Sequence, residues 1–200
     1  MSRSAKILGL GVSRTGTWSL KNALMELGFS TAHFLEHLEV FRGRDTWFRG
    51  HFEVDELKGL DAAVDLPIPV FFRELDRRYP GSRFILTVRE PGAWLKSMRA
   101  LFAHLPVKGP GPVRAYRKLI REGMFSTVVY DEARLLDAVD RHVAAVRAYF
   151  RDRESDILVL DLCGGEGWNE LCGFLDVPAP ATAFPWVNVR EGYPPAPTRG

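Results

Sequence analysis

The stretch Lys6-Ile-Leu-Gly-Leu-Gly-Val-Ser-Arg-Thr-Gly-Thr-Trp-Ser-Leu20 organises the rest of this chain. Ile7, Leu8, Leu10 and Val12 read as a buried strand, and Ser13 to Thr17 as a tight turn. Leu20, Ala23, Leu24 and Leu27 then recur at the spacing of one apolar helix face, and Gly28 is a stop signal. A strand that feeds a helix through small and hydroxylated residues makes an anion site. Unpaired backbone N–H groups and the helix dipole converge there, and the hydroxyls add donors. Arg14 adds a full positive charge.

Further along, strands and helices alternate. Asp61 to Pro67 predicts a short strand ending in a carboxylate, and a helix is expected over 68–79 with Pro80-Gly81 as its stop. Arg83 to Arg89 is the clearest central strand. Pro91 suits the first turn of the helix after it, which buries Trp94, Leu95, Met98, Leu101 and Phe102. Pro106 to Pro112 reads as a connector, and Arg114 to Glu122 as a basic helix. Asp131 is a candidate N-cap for a long helix. Asp156 to Asp161 is another strand, and Trp168 to Leu175 a last short helix. Phe29–His33 fits a strand and Phe34–Arg42 a helix, with short helical pieces over 43–59. This alternation predicts an α/β domain of three layers with a mainly parallel central sheet and a P-loop-like first strand, loop and helix. Residues 1–200 are expected to form one domain, with 178–200 as a proline-rich extended tail. Ligands of such sheets sit at the carboxyl ends of the strands, which groups Arg14, Asp65, Arg89 and Asp161 on one edge.

Bulk composition narrows the classes. The chain has 200 residues, a formal net charge of +2 and 46% hydrophobic residues. That is enough for one sizeable core and argues against a general nucleic-acid binder. No apolar run approaches a membrane span, and no secretion signal is read at the start, so a cytoplasmic location is expected. Cys163 and Cys172 are expected to be reduced, structural thiols, and no Cys/His cluster has metal-ligand spacing.

Three readings of the first loop compete. The dinucleotide fingerprint fails, because Arg14 occupies its third glycine position. The triphosphate P-loop half fits through Gly11 and Gly16. Thr17 stands where its Lys is needed, however, and Trp18 where its magnesium-holding hydroxyl is needed. A phosphoryl-transfer enzyme stays as an alternative on the strength of Asp161, as does a non-catalytic nucleotide-binding protein.

The third reading is a resemblance. Gly11 to Leu20 resembles the 5′-phosphosulfate loop of sulfotransferases that use 3′-phosphoadenosine-5′-phosphosulfate (PAPS), most closely a bacterial-type branch with a Gly-x-x-Arg-Thr-Gly-Thr loop. Phe84 to Ser97 resembles the family's 3′-phosphate block, in which a strand ends in Arg and a Ser follows eight positions later; Arg89 and Ser97 keep that spacing. Val64-Asp65-Leu66-Pro67 resembles the block that carries the catalytic base. The order matches over residues 5–100 and returns more loosely at Gly167–Leu175 and Phe184–Asn188.

The resemblance implies a PAPS-dependent sulfotransferase acting on a hydroxyl or amine of a small-molecule acceptor, with no metal. It implies donor contacts from Ser13, Arg14, Thr15, Gly16, Thr17, Trp18, Ser19, Arg89 and Ser97, and catalytic roles for Arg14 and Asp65. Three departures stand out. Arg14 replaces the loop Lys of better-studied branches, and Asp65 stands where the cytosolic branch has His. The Arg-Lys-Gly block of that branch has only Arg190-Glu-Gly192 as a counterpart.

The residue types suit the chemistry. Charge builds on the oxygen bridging sulfur and phosphate, and loop N–H groups plus one cation can hold it. Arg14 can bind two oxygens but cannot donate its proton. A carboxylate can accept the acceptor's proton. Plainer roles also fit: an ion pair for Arg14 or Arg89, an exposed hydroxyl for Ser97, an N-cap of the 68–79 helix for Asp65, core packing for Trp18 and Trp94, and a strand-end turn for Asp161. His33 and His37 are rival bases. Arg114, Arg117, Lys118 and Arg121 fit either a solvated face or an anionic-acceptor site. The acceptor pocket is expected from 34–52 and 105–125, with an apolar or aromatic character.

Overall fold

A computed structural model describes residues 5–33, 57, 59–105, 107 and 112–187. Five strands form one all-parallel sheet: β1 (Ile7–Gly9), β2 (Thr31–His33), β3 (Ala62–Val64), β4 (Arg83–Thr87) and β5 (Ile157–Leu160), in the order β2-β3-β1-β4-β5. Every strand is short, and all but the edge strand β2 (Thr31-Ala32-His33) are mostly apolar, as parallel strands covered on both faces are. Leu8, Ala63, Val64, Phe84 and Ile85 are fully buried.

Helices cover both faces. α1 (Thr17–Glu26) and α6 (Trp168–Leu175) lie on one, where Leu20, Leu24, Leu171 and Leu175 meet Ile7, Val64 and Ile85. α2 (Phe72–Arg78) and α5 (Glu132–Phe150) lie on the other, where Phe72, Leu75, Val146 and Phe150 meet Leu8, Leu10 and Phe84. A third cluster sits over the carboxyl edge. There α3 (Pro91–His104), α4 (Pro112–Phe125) and α5 bring Trp94, Met98, Phe102, Phe125 and Leu135 against Val12 and Leu66. Each fully buried large side chain contributes about 1.5–3 kcal/mol, so these clusters anchor the loops above the strands.

The caps follow local chemistry. Asp131 accepts from the Arg134 amide and starts α5, as expected. Glu90 caps α3 by accepting from Gly92 and Ala93, which holds its carboxyl below the usual range; the sequence reading found Pro91 but not this cap. The helix expected over 68–79 is divided. Ile68–Val70 form a 3-10 turn, and α2 begins only at Phe72. Pro67 and Pro69 lack donors and restrict the residues before them, so an α-helix cannot form until both are passed. The Leu66–Pro67 peptide is cis. Residues 178–187 form no helix or strand, yet Phe184 packs into the α1–α6 core. Both cysteines are free; Cys172 is buried, but Cys163 is exposed and so is not a core residue. The expected helix over 34–42 and the pieces over 43–56 lie outside the described residues.

Candidate active site

Parallel strands all end on one edge, so the residues that close them become neighbours. The edge reads His33, Asp65, the Ser13–Gly16 turn, Arg89 and Asp161, following the strand order.

The turn after β1 is shaped by two glycines. A Cβ on Gly11 would lie 1.7 Å from Thr87 Oγ1 and 2.7 Å from Thr15 Oγ1, so only glycine lets the turn settle onto β4. Gly16 has φ +93° and precedes α1 without any side-chain cap. The first amides of α1 therefore keep no side-chain acceptor from their own cap, which is the requirement of an anion site. Thr15 braces the turn from inside: its hydroxyl reaches Val12 O at 2.6 Å and Thr87 Oγ1 at 2.6 Å. Arg14 takes a left-handed φ of +76°. A non-glycine residue held there is uncommon, and such strain concentrates at functional sites.

One half of the edge gathers cations. Arg14 Nε donates to Ser97 Oγ at 2.9 Å, and Arg89 Nη1 donates to Arg14 O at 3.1 Å. Trp94 is core, as one sequence reading held, but its Nε1 also donates to Ser13 O at 3.1 Å. Arg14, Arg89 and Ser97, distant in sequence, therefore converge on one loop. Among the described residues the Arg89 Nε is buried with no hydrogen-bond partner. An orphaned guanidinium N–H is costly to leave unmade, and a bound anion would satisfy it. Beneath this half lies a cavity of about 380 Å³ bordered by Thr15, Thr87, Arg89, Trp94, Val139 and His142.

The other half holds a carboxylate. Asp65 is 3% exposed, with φ +68°. It accepts from Ser13 Oγ at 3.0 Å, and His33 Nε2 lies 3.1 Å from its other oxygen. The N-cap reading of Asp65 is therefore replaced. Its side chain faces Ser13 and His33, α2 is preceded by Phe71, and only the backbone oxygen of Asp65 serves the following turn, accepting from Ile68. His33 is fully buried, its Nε2 also lies 3.1 Å from Thr17 Oγ1, and its ring stacks on Trp18 at 3.9 Å. Its Nδ1 is buried without a partner among the described residues. The polar contacts of the ring therefore run through Nε2, which faces both Asp65 and Thr17. Trp18 is half-buried against His33 rather than in the core.

Ser19 Oγ accepts from the Val187 amide at 3.0 Å, which ties the C-terminal segment to the first turn of α1. Asp161 is a strand-end turn residue, accepting from Gly164 through its carboxylate. His37 lies outside the described residues. The partnership of His33 with Asp65 was missed from sequence, and only their shared strand-end position hinted at it. Among the described residues no group of three or more His, Cys, Asp or Glu side chains is placed to hold a metal ion, and no helix is long and apolar enough to cross a membrane.

A family model for the sulfotransferase domain matches residues 6–193. The chain belongs to the sulfotransferase domain family. A relative, the Ava biosynthesis cluster protein M of Aspergillus versicolor, is 30% identical over 220 residues, covering 94% of this chain and 82% of its own. Family membership fits the three sequence blocks, since the sulfotransferase match spans all of them and the later segments as well.

A small cavity of about 60 Å³ opens beside Asp65 and Ser13 of the sulfotransferase edge. Its walls are Leu66, Met98, Leu101, Phe102, Leu105, Ile120 and Phe125, with Arg117 and Arg121 on α4. Of the two segments expected to shape the acceptor pocket, 105–125 contributes Leu105, Arg117, Ile120, Arg121 and Phe125 to this cavity, while 34–52 lies outside the described residues.

Proposed function

We propose that this sulfotransferase takes PAPS as donor and transfers its sulfuryl group to a hydroxyl or amine of a small-molecule acceptor, working as one domain in the cytoplasm. The observation that carries the reading is the split edge, with Arg14, Ser97 and Arg89 linked on one side of the loop and Asp65 buried on the other. The residues suit such a donor. Gly11 and Gly16 let the turn pack tightly onto its neighbours, α1 has no side-chain cap, and the orphaned Arg89 Nε calls for an anion. In this reading Arg89 and Ser97 hold the 3′-phosphate. Ser13, Arg14, Gly16, Thr17, Trp18 and Ser19 surround the phosphosulfate end through the loop and the first turn of α1, and Thr15 keeps the loop in shape.

The donor supplies an activated sulfuryl group, whose bond to the bridging oxygen breaks as the acceptor oxygen or nitrogen bonds to sulfur. Arg14 and the loop amides offset charge on the departing oxygen, an effect worth ~3–4 kcal/mol per donor in comparable sites. Asp65 takes the acceptor's proton. It borders the small cavity, whereas His33 presents Nε2 to Asp65 and keeps Nδ1 buried, so Asp65 is the base and His33 a positioning residue.

Calorimetry with adenosine 3′,5′-bisphosphate tests the donor assignment. Binding is expected without magnesium and should weaken roughly 10–100-fold in Arg89→Ala, the worth of a hydrogen bond to a charged group. Failure to bind at high micromolar ligand, or an unchanged affinity in the variant, overturns it.

A further inference from the structure

We propose that the acceptor is a hydroxy acid: a compact apolar frame with its reacting hydroxyl at Asp65 and a single carboxylate held by Arg117. This rests on the sulfotransferase reading above and names the substrate class of the same site.

The basic cluster of α4 divides by helix periodicity. Arg117 and Arg121 are four residues apart and therefore share a face, and both line the cavity that also holds Asp65 and Ser13. Lys118 points elsewhere, exposed and paired with Glu122 at 3.8 Å. The two arginines are then used differently. Arg121 is 6% exposed, donates to Leu105 O at 2.8 Å and lies 3.9 Å from the centre of the Phe102 ring. It is a fixed part of the wall. Arg117 is half-buried and, among the described residues, has no hydrogen-bond or ion-pair partner.

An acceptor entering this cavity strips water from Arg117. For a neutral molecule that desolvation is a cost with nothing to offset it. For an acid it becomes a charge-assisted pair, and the planar fork of arginine matches both oxygens of a carboxylate. Arg121 adds a permanent positive field from the wall. Asp65, which lines the same cavity, disfavours the acid beside it, since its carboxylate repels a second negative charge. The cavity therefore orients its guest, with the hydroxyl toward Asp65 and the acid toward α4. The apolar side chains between these ends require the frame to be apolar, and the small volume requires it to be short.

The test uses the full-length protein and two probes of one shape, 4-hydroxyphenylacetate and 4-hydroxyphenylacetamide. Binding is read directly by ligand-observed saturation-transfer NMR, with adenosine 3′,5′-bisphosphate present and absent, so no turnover is needed. The acid is expected to bind roughly 10–100-fold more tightly than the amide, the worth of one charged hydrogen bond. In Arg117→Gln the acid-to-amide ratio should fall towards one, and Arg117→Lys should restore part of it. If Arg117→Gln fails to fold, the Lys variant and the wild-type ratio still decide. Equal binding of the two probes, a ratio that Arg117→Gln leaves unchanged, or binding of neither probe beside a bound nucleotide overturns the proposal. Acid-selective binding without nucleotide binding would instead sustain the acid pocket and count against the donor assignment.

Discussion

The two halves of the strand-end edge hold their charges in opposite ways. On the β1–β4 side, Arg14 and Arg89 are half-buried, tied to a hydroxyl and a backbone oxygen, and set above a cavity of about 380 Å³. On the β2–β3 side, Asp65 is 3% exposed and carries donors on both oxygens. The cation half keeps unspent hydrogen-bonding capacity, notably at the Arg89 Nε. The Asp65 carboxylate, by contrast, already has a neighbour at each oxygen, and the unpartnered atom of its half, His33 Nδ1, faces away from it. A site that must bind an anion needs the first arrangement, and a buried carboxylate held in one orientation needs the second. Ser13 and Arg14 stand between them, adjacent in the chain, one side chain reaching Asp65 and the other reaching Ser97.

The sharpest way to break this division is Asp65→Asn. The amide keeps the size of the side chain and its contact with Ser13, but it cannot take a proton. Transfer of labelled sulfuryl groups is expected to fall about 10²–10⁴-fold, the usual worth of a positioned general base. Affinity for adenosine 3′,5′-bisphosphate should stay within about twofold, because among its proposed contacts only Ser13 is hydrogen-bonded to Asp65 in the described residues, and the amide can keep that bond. Full transfer by the variant would remove Asp65 as base. A parallel loss of nucleotide affinity would show that the halves are not separate.

A smaller effect is expected at His33, whose part in the carboxylate half is to position Asp65. His33→Ala removes the donor facing the carboxylate, and kcat should fall roughly tenfold, near the value of one hydrogen bond to a charged group. His33→Gln places an amide donor in the same region and should recover part of the loss. A purely structural role predicts instead that both variants unfold at lower urea, with kcat per folded molecule unchanged. KM for the donor should rise only modestly in both, because the ring also contacts Thr17 Oγ1 and Trp18, two of the residues placed around the donor.

Most of the cation half was legible in the sequence, because its determinants are local. A strand that ends in Arg89, a Ser eight residues on and a Gly-Thr turn each carry meaning in their own spacing. Asp65 was legible for the same reason. Its partner was not: His33 and Asp65 meet only because β2 pairs in parallel with β3, with His33 opposite Val64, and no local pattern records that register. Thr15 misled in the opposite sense. A loop hydroxyl looks like a ligand donor, yet the gap left by Gly11 lets Thr87 capture it. The division of the 68–79 helix was readable in principle, since Pro67 and Pro69 are in plain view, but apolar periodicity across them outweighed their missing donors.

The least effect, and the one that sharpens the contrast most finely, concerns the floor beneath the cation half. His142 of α5 crosses to β1, and its Nε2 donates to Leu10 O at 2.8 Å, three residues before Ser13. Burial pushes its pKa below the ordinary value, the bond to Leu10 opposes that only in part, and nearby Arg73 adds to the depression. A ring kept neutral in the folded state binds fewer protons than its unfolded counterpart below about pH 6.5. The stability it contributes is therefore fully present above that pH and declines as pH falls towards the lowered folded value. Urea midpoints measured at pH 8 and pH 5.5 should show this decline, and His142→Gln should flatten it while keeping a donor for Leu10. The ring also borders the large cavity with Thr15 and Arg89. If the decline persists unchanged in His142→Gln, the acid sensitivity arises elsewhere, and the cation half rests on a firmer floor than its cavity implies.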